Sequence, residues 1–472
     1  MTDVAPTPLP TSGQPLPTAS RRQSGTVTPA ELKASVGAGH VNSVMLGWPA
    51  ARGRLRGKYC NAAPFLDRFL DRNGEADACA YLLATDPEMR TVDGIDLASW
   101  STGFQDCRLR PDLDTLRLAP WVPGSALVLA DPVGADGTPV RVSPRHVLRH
   151  QIYRLASLGI TAWIGLESEF VLFHEGDPHG EDAGHVPRLM VEANLDYSLD
   201  ANPRTELLRA IGADLRGAGL PLEALKCESG HGQVEVTFAP QPPMESADTH
   251  VLLKHAATSV ADRNGAGATF MASPVTGVGS GLHIHLSLWR EGEPMLPGPD
   301  GDALSDEGLR VVGGLAELFG DLAPLYAPTV NSYKRWRPRS FAPVNMAWGY
   351  DNRTCSIRVV GHDEGVHLEL RAPGADADPY LAVAAALAAV HHGLTRKPGT
   401  PSPRRGNAYE DTTAPPLPHT LETAVERFYG ENVRGALGDD VVEHYAQHAL
   451  HELAAMHYEV TDIERQRGLF PS

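Results

Sequence analysis

Four short segments alternate aliphatic residues with charged or imidazole residues at a period of two. They are Gly165-Leu166-Glu167-Ser168-Glu169-Phe170, Gly232-Gln233-Val234-Glu235-Val236, His283-Ile284-His285-Leu286-Ser287 and His367-Leu368-Glu369-Leu370-Arg371. On an extended strand, residues two apart share a face. Each segment therefore predicts a strand with one apolar face and one face of Glu, His or Arg. An exposed strand would favour Thr, Lys and Ser at those positions, and a buried one could not hold bare carboxylates. A concave sheet face gathering such groups predicts cations with a phosphorylated ligand between them.

The remaining pattern places these strands in an α+β frame. Thr28-Pro29-Ala30-Glu31 reads as a helix start, with Thr28 as cap and Glu31 at the third position. Val41 to Leu46 and Arg54 to Tyr59 predict strands around a turn at Pro49 to Gly53, and Pro64 to Asn73 predicts a helix. Asp106 to Leu118 reads as loop and strand, and Pro120-Trp121-Val122-Pro123 as a domain change. Amphipathic helices are predicted over Arg145–Leu158, Thr205–Ala218, Thr249–Asn264 and Pro379–Leu394, followed by a Pro/Gly/Arg-rich loop from Arg396 to Pro418. Leu421 to Arg467 is mostly helical in pattern. Helices backing a curved, largely antiparallel sheet define the fold class as α+β.

Composition narrows the function. A net charge of −17 argues against a general nucleic-acid binder. The longest apolar run, Tyr380 to Val390, is Ala-rich and predicts a packed helix, not a membrane span. Residues 1–25 are rich in Pro, Thr and Ser, without the order of a signal peptide, and predict a disordered tail. The five cysteines are scattered and form no CxxC, which points to a reducing, cytoplasmic setting.

Glu167, Glu169, Glu228, Glu235, His283 and Glu369 supply five carboxylates and one imidazole, a donor set suited to Mg²⁺ or Mn²⁺ and lacking the thiols of structural zinc sites. The bland reading, solvated strand faces with unrelated charges, serves for any single pair but not for all four segments together. Asn331 to Arg335, Arg353 to Arg358 and Arg371 bring guanidiniums beside that face. Such groups stabilise charge in phosphoryl transfer or grip a carboxylate in bidentate fashion, whereas Arg337 and Arg339 read as surface arginines. Gly53 to Lys58 is one residue short of a phosphate loop and has Tyr59 in place of Ser/Thr, so it is set aside. His444, His448 and His451 share a helical face with no accompanying ligand set and read as ordinary helix residues.

Six ordered motifs resemble the glutamine synthetase family: Glu167 to Phe170; Glu228 to Glu235; Gly279-Ser280-Gly281-Leu282-His283-Ile284-His285; Asn331 to Arg335; Arg353 to Arg358; and Glu369 to Arg371 with Pro373 to Tyr380. The resemblance implies a β-grasp domain over residues 26–120 and a catalytic domain with a curved antiparallel sheet over 121–472. It also implies homo-oligomeric rings, typically dodecamers, with active sites between subunits, and neither nucleic acid nor membrane as a partner. It assigns Glu169, Glu228 and Glu235 to one cation, and Glu167, His283 and Glu369 to the cation nearer the nucleotide phosphates. Two or three Mg²⁺ or Mn²⁺ ions per site follow, with ATP contacted by Glu223, His285 and Ser287. Arg353 and Arg358 would face the transferred phosphate, and Gly279, Arg335 and Arg371 would hold glutamate. The implied reaction is phosphorylation of the glutamate γ-carboxylate by ATP, then attack of an amine on the acyl phosphate.

The chain departs from ammonia-using members at one informative place. Counting from Arg335, Phe341 stands where those members carry a Glu that closes over ammonium and takes its proton. An aromatic ring does neither, but offers an apolar wall to an alkyl chain. Val278 and Ser273 replace a usual Asn and Lys, and no adenylylation signature is recognisable around Tyr409. The pocket would further involve Trp336 and an Asp lent by the neighbouring subunit, Asp93 with Asp96 as rival. Ser340-Phe341-Ala342-Pro343 resembles the γ-glutamylpolyamine and γ-glutamylmonoamine synthetase branch. The expectation is a γ-glutamyl-amine ligase. The alternatives are an ammonia-using glutamine synthetase and a catalytically inactive structural or regulatory homologue.

Overall fold

The computed structural model of the chain describes residues 25–174, 189–190, 193–299 and 303–469. The expected tail lies outside the described residues, apart from Gly25. Among the described residues fourteen strands are formed: β1 Ser43–Ala50, β2 Arg54–Asn61, β3 Ala76–Cys79, β4 Asp106–Leu118, β5 Ser125–Val133, β6 Ile160–His174, β7 Leu222–Cys227, β8 Gln233–Phe238, β9 Ala266–Thr269, β10 Leu282–Arg290, β11 Glu293–Pro294, β12 Trp348–Tyr350, β13 Ile357–Val360 and β14 His367–Leu370. The α-helices are α1 Pro29–Gly37, α2 Ala62–Phe65, α3 Pro144–Ala156, α4 Pro203–Gly217, α5 Pro243–Arg263, α6 Asp306–Leu318, α7 Pro379–Arg396, α8 Leu421–Phe428, α9 Glu431–Leu437, α10 Asp439–Tyr458 and α11 Asp462–Gly468.

The first sheet has the order β2-β1-β5-β4-β3, with β1 and β5 parallel and the other pairs antiparallel. β1 is buried on both faces, as its nearly unbroken apolar run requires, while β2 is an edge strand carrying Arg54, Arg56 and Lys58. The connection between them turns on Gly53 at φ +65, where a Cβ would come within 2.7 Å of Pro379 Cδ, so only glycine fits. The helix expected over Pro64–Asn73 is present as α2 followed by a π-helical turn over Leu66–Asp71.

Two expectations need correction. Asp106 to Leu118 is one strand, not loop and strand: a register shift between Asp112 and Arg117 keeps its polar stretch in the sheet. The Thr115 hydroxyl replaces a ladder acceptor there, receiving the N–H of Leu129 at 2.8 Å. The Pro120–Pro123 stretch is a turn inside the first sheet, because β5 follows it and pairs with both β1 and β4. A division after residue 120 therefore cuts this sheet, the paired prolines having mimicked a linker.

The second sheet runs β12-β13-β14-β10-β6-β8-β7, with β11 on β10 and β9 on β6. All its pairs are antiparallel except β12 with β13. Behind it lies α7, whose Ala-rich stretch from Tyr380 to Val390 is buried throughout. α5 starts two turns earlier than expected, at Pro243, because proline is well placed in a first turn. Among the described residues, no helix is long and apolar enough to cross a membrane, and the five cysteines are free thiols.

One apolar core joins Val44, Leu46 and Trp48 of the first sheet to Leu166, Ile284 and Leu368 of the second. Another joins Met45, Leu127 and Leu129 to Phe170, Val234 and Leu252. A buried ionic knot fastens the same layers. Arg145 of α3 pairs with Asp112 of β4 (2.8 Å), Asp131 of β5 (3.0 Å) and Asp248 of α5 (3.1 Å), and Tyr380 of α7 donates its hydroxyl to Asp248 at 2.5 Å.

Candidate active site

Strand register assembles the carboxylate face. His283 lies opposite Glu167 across β10 and β6, Glu235 opposite Glu169 across β8 and β6, and Glu369 opposite both His285 and Arg358. Two ligand clusters result. Donor atoms of Glu167, Glu169 and His283 lie within 4.8 Å of one another, as do those of Glu169, Glu228 and Glu235. Glu169 belongs to both, so the two groups adjoin. Glu369 joins the first through His283, whose Nδ1 lies 2.7 Å from Glu167 and 3.5 Å from Glu369. All six sequence-predicted ligands are thus brought together.

Second partners hold these groups in place. Glu169 accepts the backbone N–H of Gly281 at 2.7 Å and the side-chain amide of Gln233 at 3.1 Å. A Cβ on Gly281 would lie 2.5 Å from Arg335 Nη2 and 2.7 Å from His283 Nε2, so this close approach requires glycine. Gln233 also donates to the carbonyl of Gly279 at 2.9 Å. Arg335, 5% exposed, donates to the carbonyls of Arg371 and Ala372. Glu369, 1% exposed, receives both Arg371 and Arg358, the latter at 2.8 Å.

The electrostatics of the cluster are lopsided. Burial works against ionisation of Glu369, but His283, Arg371, His285 and Arg358 together bring it down to about 2. Burial likewise opposes ionisation of Glu167, yet His283 and His285 hold it well below the ordinary range. Glu235 goes the other way: burial and the charge on Glu167 push it up to about 9. Lys226, opposite Glu235 in the β7–β8 pair, lies 3.6 Å from Glu235 and in closer contact with Glu228, but does not offset that rise. A face that cannot ionise fully at neutral pH without further positive charge, and that offers only oxygen and imidazole donors, fits hard divalent cations.

The other expected site residues are distributed unevenly. His285 lies 3.6 Å from Glu167 and 3.1 Å from His367. Ser287 accepts the indole N–H of Trp289, and Glu223 and Arg353 are exposed and belong to neither ligand group. Phe341 is 66% exposed with φ +59, and its carbonyl accepts from Arg371 at 3.3 Å. That left-handed backbone is uncommon for an aromatic residue, and the residue is exposed to solvent. Trp336 is turned inward, edge-on to Tyr333 at 5.1 Å and donating to Ala372 O at 2.9 Å. Asp93 is exposed in the first layer, next to Gly94, which packs near Gln447 of α10. His448 is bonded to Leu83 O and His451 to Asp86, so the histidine face of α10 is structural.

Sequence reading missed Lys226, Gln233 and Asn331. Lys226 stands two residues before Glu228, a spacing that marks it as a companion on the same strand face. Asn331 bridges to both backbone groups of Ser273, at 2.9 and 3.0 Å, bracing the segment that leads to Gly279.

Comparison with known proteins agrees with this geometry. The sequence profile of the glutamine synthetase catalytic domain matches residues 141–468. Gamma-glutamylethanolamide synthetase GlnA4 of Streptomyces coelicolor is 41% identical over 443 residues, 93% of this chain and 95% of its own. A glutamate–isopropylamine ligase from Pseudomonas sp is 33% identical, over 91% of this chain and 95% of its own. The solved structure of a GmaS/ADP complex superposes with a TM-score of 0.78 at 26% identity, covering 93% of this chain and 99% of that one. By profile, by full-length relatives and by shape, the chain belongs to the glutamine synthetase family.

Proposed function

We propose that this chain is an ATP-dependent ligase joining the γ-carboxylate of glutamate to a primary amine or polyamine through γ-glutamyl phosphate. The observation that carries the choice of nitrogen donor is Phe341. The Phe341 ring has no basic atom to take a proton from ammonium and no carboxylate charge to pair with it, while every carboxylate and imidazole of the cation face is retained. Two relatives whose names specify amine ligation, one with ethanolamine and one with isopropylamine, support it over an ammonia-using or inactive homologue.

Glu169, Glu228 and Glu235 would hold one cation, and Glu167, His283 and Glu369 another. Mg²⁺ or Mn²⁺, two or three ions per site, would neutralise phosphate charge and polarise the transferred phosphorus. Arg335 and Arg371 grip glutamate with Gly279, and Glu223, His285 and Ser287 contact the nucleotide. A γ-carboxylate oxygen attacks the terminal phosphorus of ATP and ADP leaves. Arg353 and Arg358 stabilise the charge on the moving phosphoryl group. The amine nitrogen then attacks the acyl carbon, the carbon–oxygen bond to phosphate breaks, and the nitrogen sheds one proton. Phe341 walls the approach of the amine's carbon chain, Trp336 supports that wall from behind, and Asp93 of an adjacent subunit completes the pocket in a cytoplasmic ring assembly.

ADP release measured with ATP, Mg²⁺, glutamate and a panel of amines tests this reading. Turnover with primary amines should exceed turnover with ammonia. Activity with ammonia alone would restore an ordinary glutamine synthetase, and no turnover with any nitrogen donor would remove the enzyme. Phe341→Glu should move the preference toward ammonia, and an unchanged preference would overturn the role given to this side chain.

A further inference from the structure

A well-formed cavity lies away from the carboxylate face. It encloses about 710 Å³ between the β1–β2 hairpin, α5 and α10, a size common among small-molecule sites. Arg54 and Arg56 line it from β2, two residues apart and therefore on one strand face, and Lys254 lines it from α5. Among the described residues, neither guanidinium has a hydrogen-bond acceptor, and none of the three cations pairs with a carboxylate. Lys254 is half-buried, donates only to Ala377 O at 2.9 Å and lies 5.4 Å above the Phe270 ring. Burial, with Arg54 nearby, draws it down to about 8 in spite of Asp376 and Asp378.

Each carboxylate on the same wall has at least one partner of its own. Glu452 pairs with Arg52 at 2.7 Å, and Asp86 with Arg90 at 2.6 Å and His451 at 3.3 Å. Asp378 accepts the N–H groups of Gly53 and Tyr380 at 2.8 and 2.9 Å. Asp376 accepts the hydroxyls of Ser332 and Thr329 at 2.6 and 3.0 Å through one oxygen, and its other oxygen is buried without a hydrogen-bond partner. In a chain of net charge −17, three cations without a direct ion pair line one cavity.

We propose that this cavity is a second ligand site, distinct from the carboxylate face, which binds a small polyvalent anion, a phosphate group or a dicarboxylate, through Arg54, Arg56 and Lys254. The site sits behind the glutamate grip. Asn331, which also lines the cavity, braces Ser273 on the way to Gly279 and lies four residues before Arg335. Occupancy of the cavity is thereby coupled to the affinity for glutamate.

Calorimetric titration of the full chain with inorganic phosphate and, separately, with malonate tests the site, with ADP and Mg²⁺ saturating the nucleotide pocket. The wild type should bind at least one of the two probes, and Arg54→Ser/Arg56→Ser should weaken that binding at least tenfold. Thr258→Glu, an exposed position on the same wall, should do the same by placing a carboxylate beside Lys254. Binding of phosphate alone assigns a phosphate ligand, and binding of malonate alone assigns a carboxylate. The KM for glutamate should respond to the bound probe in the wild type and not in the double variant. No binding of either probe, or identical isotherms for all three proteins, overturns the site.

Discussion

Lys226 stands where a divalent cation shared by Glu169, Glu228 and Glu235 would need room. Its ammonium touches Glu228 and, from the same position, lies 3.6 Å from Glu235, 3.8 Å from Asp196 and 4.3 Å above the Tyr197 ring. Two unit charges about 4 Å apart interact by about 4 kcal/mol at an effective dielectric of 20. Even a third of that, discounted for partial exposure, is about tenfold in an equilibrium constant. Lys226→Met should therefore tighten Mn²⁺ binding roughly tenfold in a spin-resonance titration without nucleotide, and equal or weaker binding would refute the competition. The six ligands were legible because strand geometry turns a spacing of two into a common face. The contact between Lys226 and Glu235 was not, because it depends on the β7–β8 register, a long-range property with no local trace. The roles of Glu223 and Ser287 came only from family resemblance, and a single chain gives neither of them, nor Arg353, a contact with the cation face.

Among the helices, α7 shows how a local signal and a tertiary demand meet. The sequence Asp378-Pro379 marks its start: Asp378 caps the helix by accepting the N–H groups of Tyr380 and Leu381. The same carboxylate accepts the N–H of Gly53 from the β1–β2 turn, which no local pattern announces. Burial raises Asp378 to about 6 despite these bonds. The unfolded carboxyl releases its proton near pH 4, so between about pH 4 and 6 the folded chain holds a proton that the unfolded chain has lost. This group's contribution to stability therefore falls as pH rises across that window and is level above it. Asp378→Asn keeps a capping acceptor and removes the titration. Thermal melts across this range should show a shallower decline for the variant, and parallel profiles would exclude Asp378 as a source. Element boundaries followed similar logic: the helix expected from Thr249 begins at Pro243, where proline fits a first turn, and Asp106–Leu118 hid a full strand behind a polar bulge.

At the scale of the whole molecule, the Arg145 knot is the widest single connection, tying β4, β5, α3 and α5 together and reaching α7 through Tyr380. Burial disfavours its charge, but Asp131, Asp248 and Asp112 raise Arg145 well above its ordinary range, so the guanidinium stays charged. Removing one partner of such a cluster strands the remaining charges and costs about 3–5 kcal/mol. Arg145→Ala should lower the midpoint of chemical denaturation accordingly, while Arg145→Lys, which keeps the charge but loses the fork, should fall between. Near wild-type stability in the alanine variant would show that water replaces the guanidinium at little cost. The α+β class and the catalytic sheet were readable from periodicity, whereas this knot was not, since its members are scattered over four elements. The placement of β5 has a practical consequence for anyone dissecting the protein. A fragment beginning at residue 121 would carry one orphan strand, its edges toward β1 and β4 unpaired, and the complementary piece would lose the centre of its sheet. Reconstitution from two separately expressed halves should succeed only when the cut falls after Val133, in the turn that precedes Pro144.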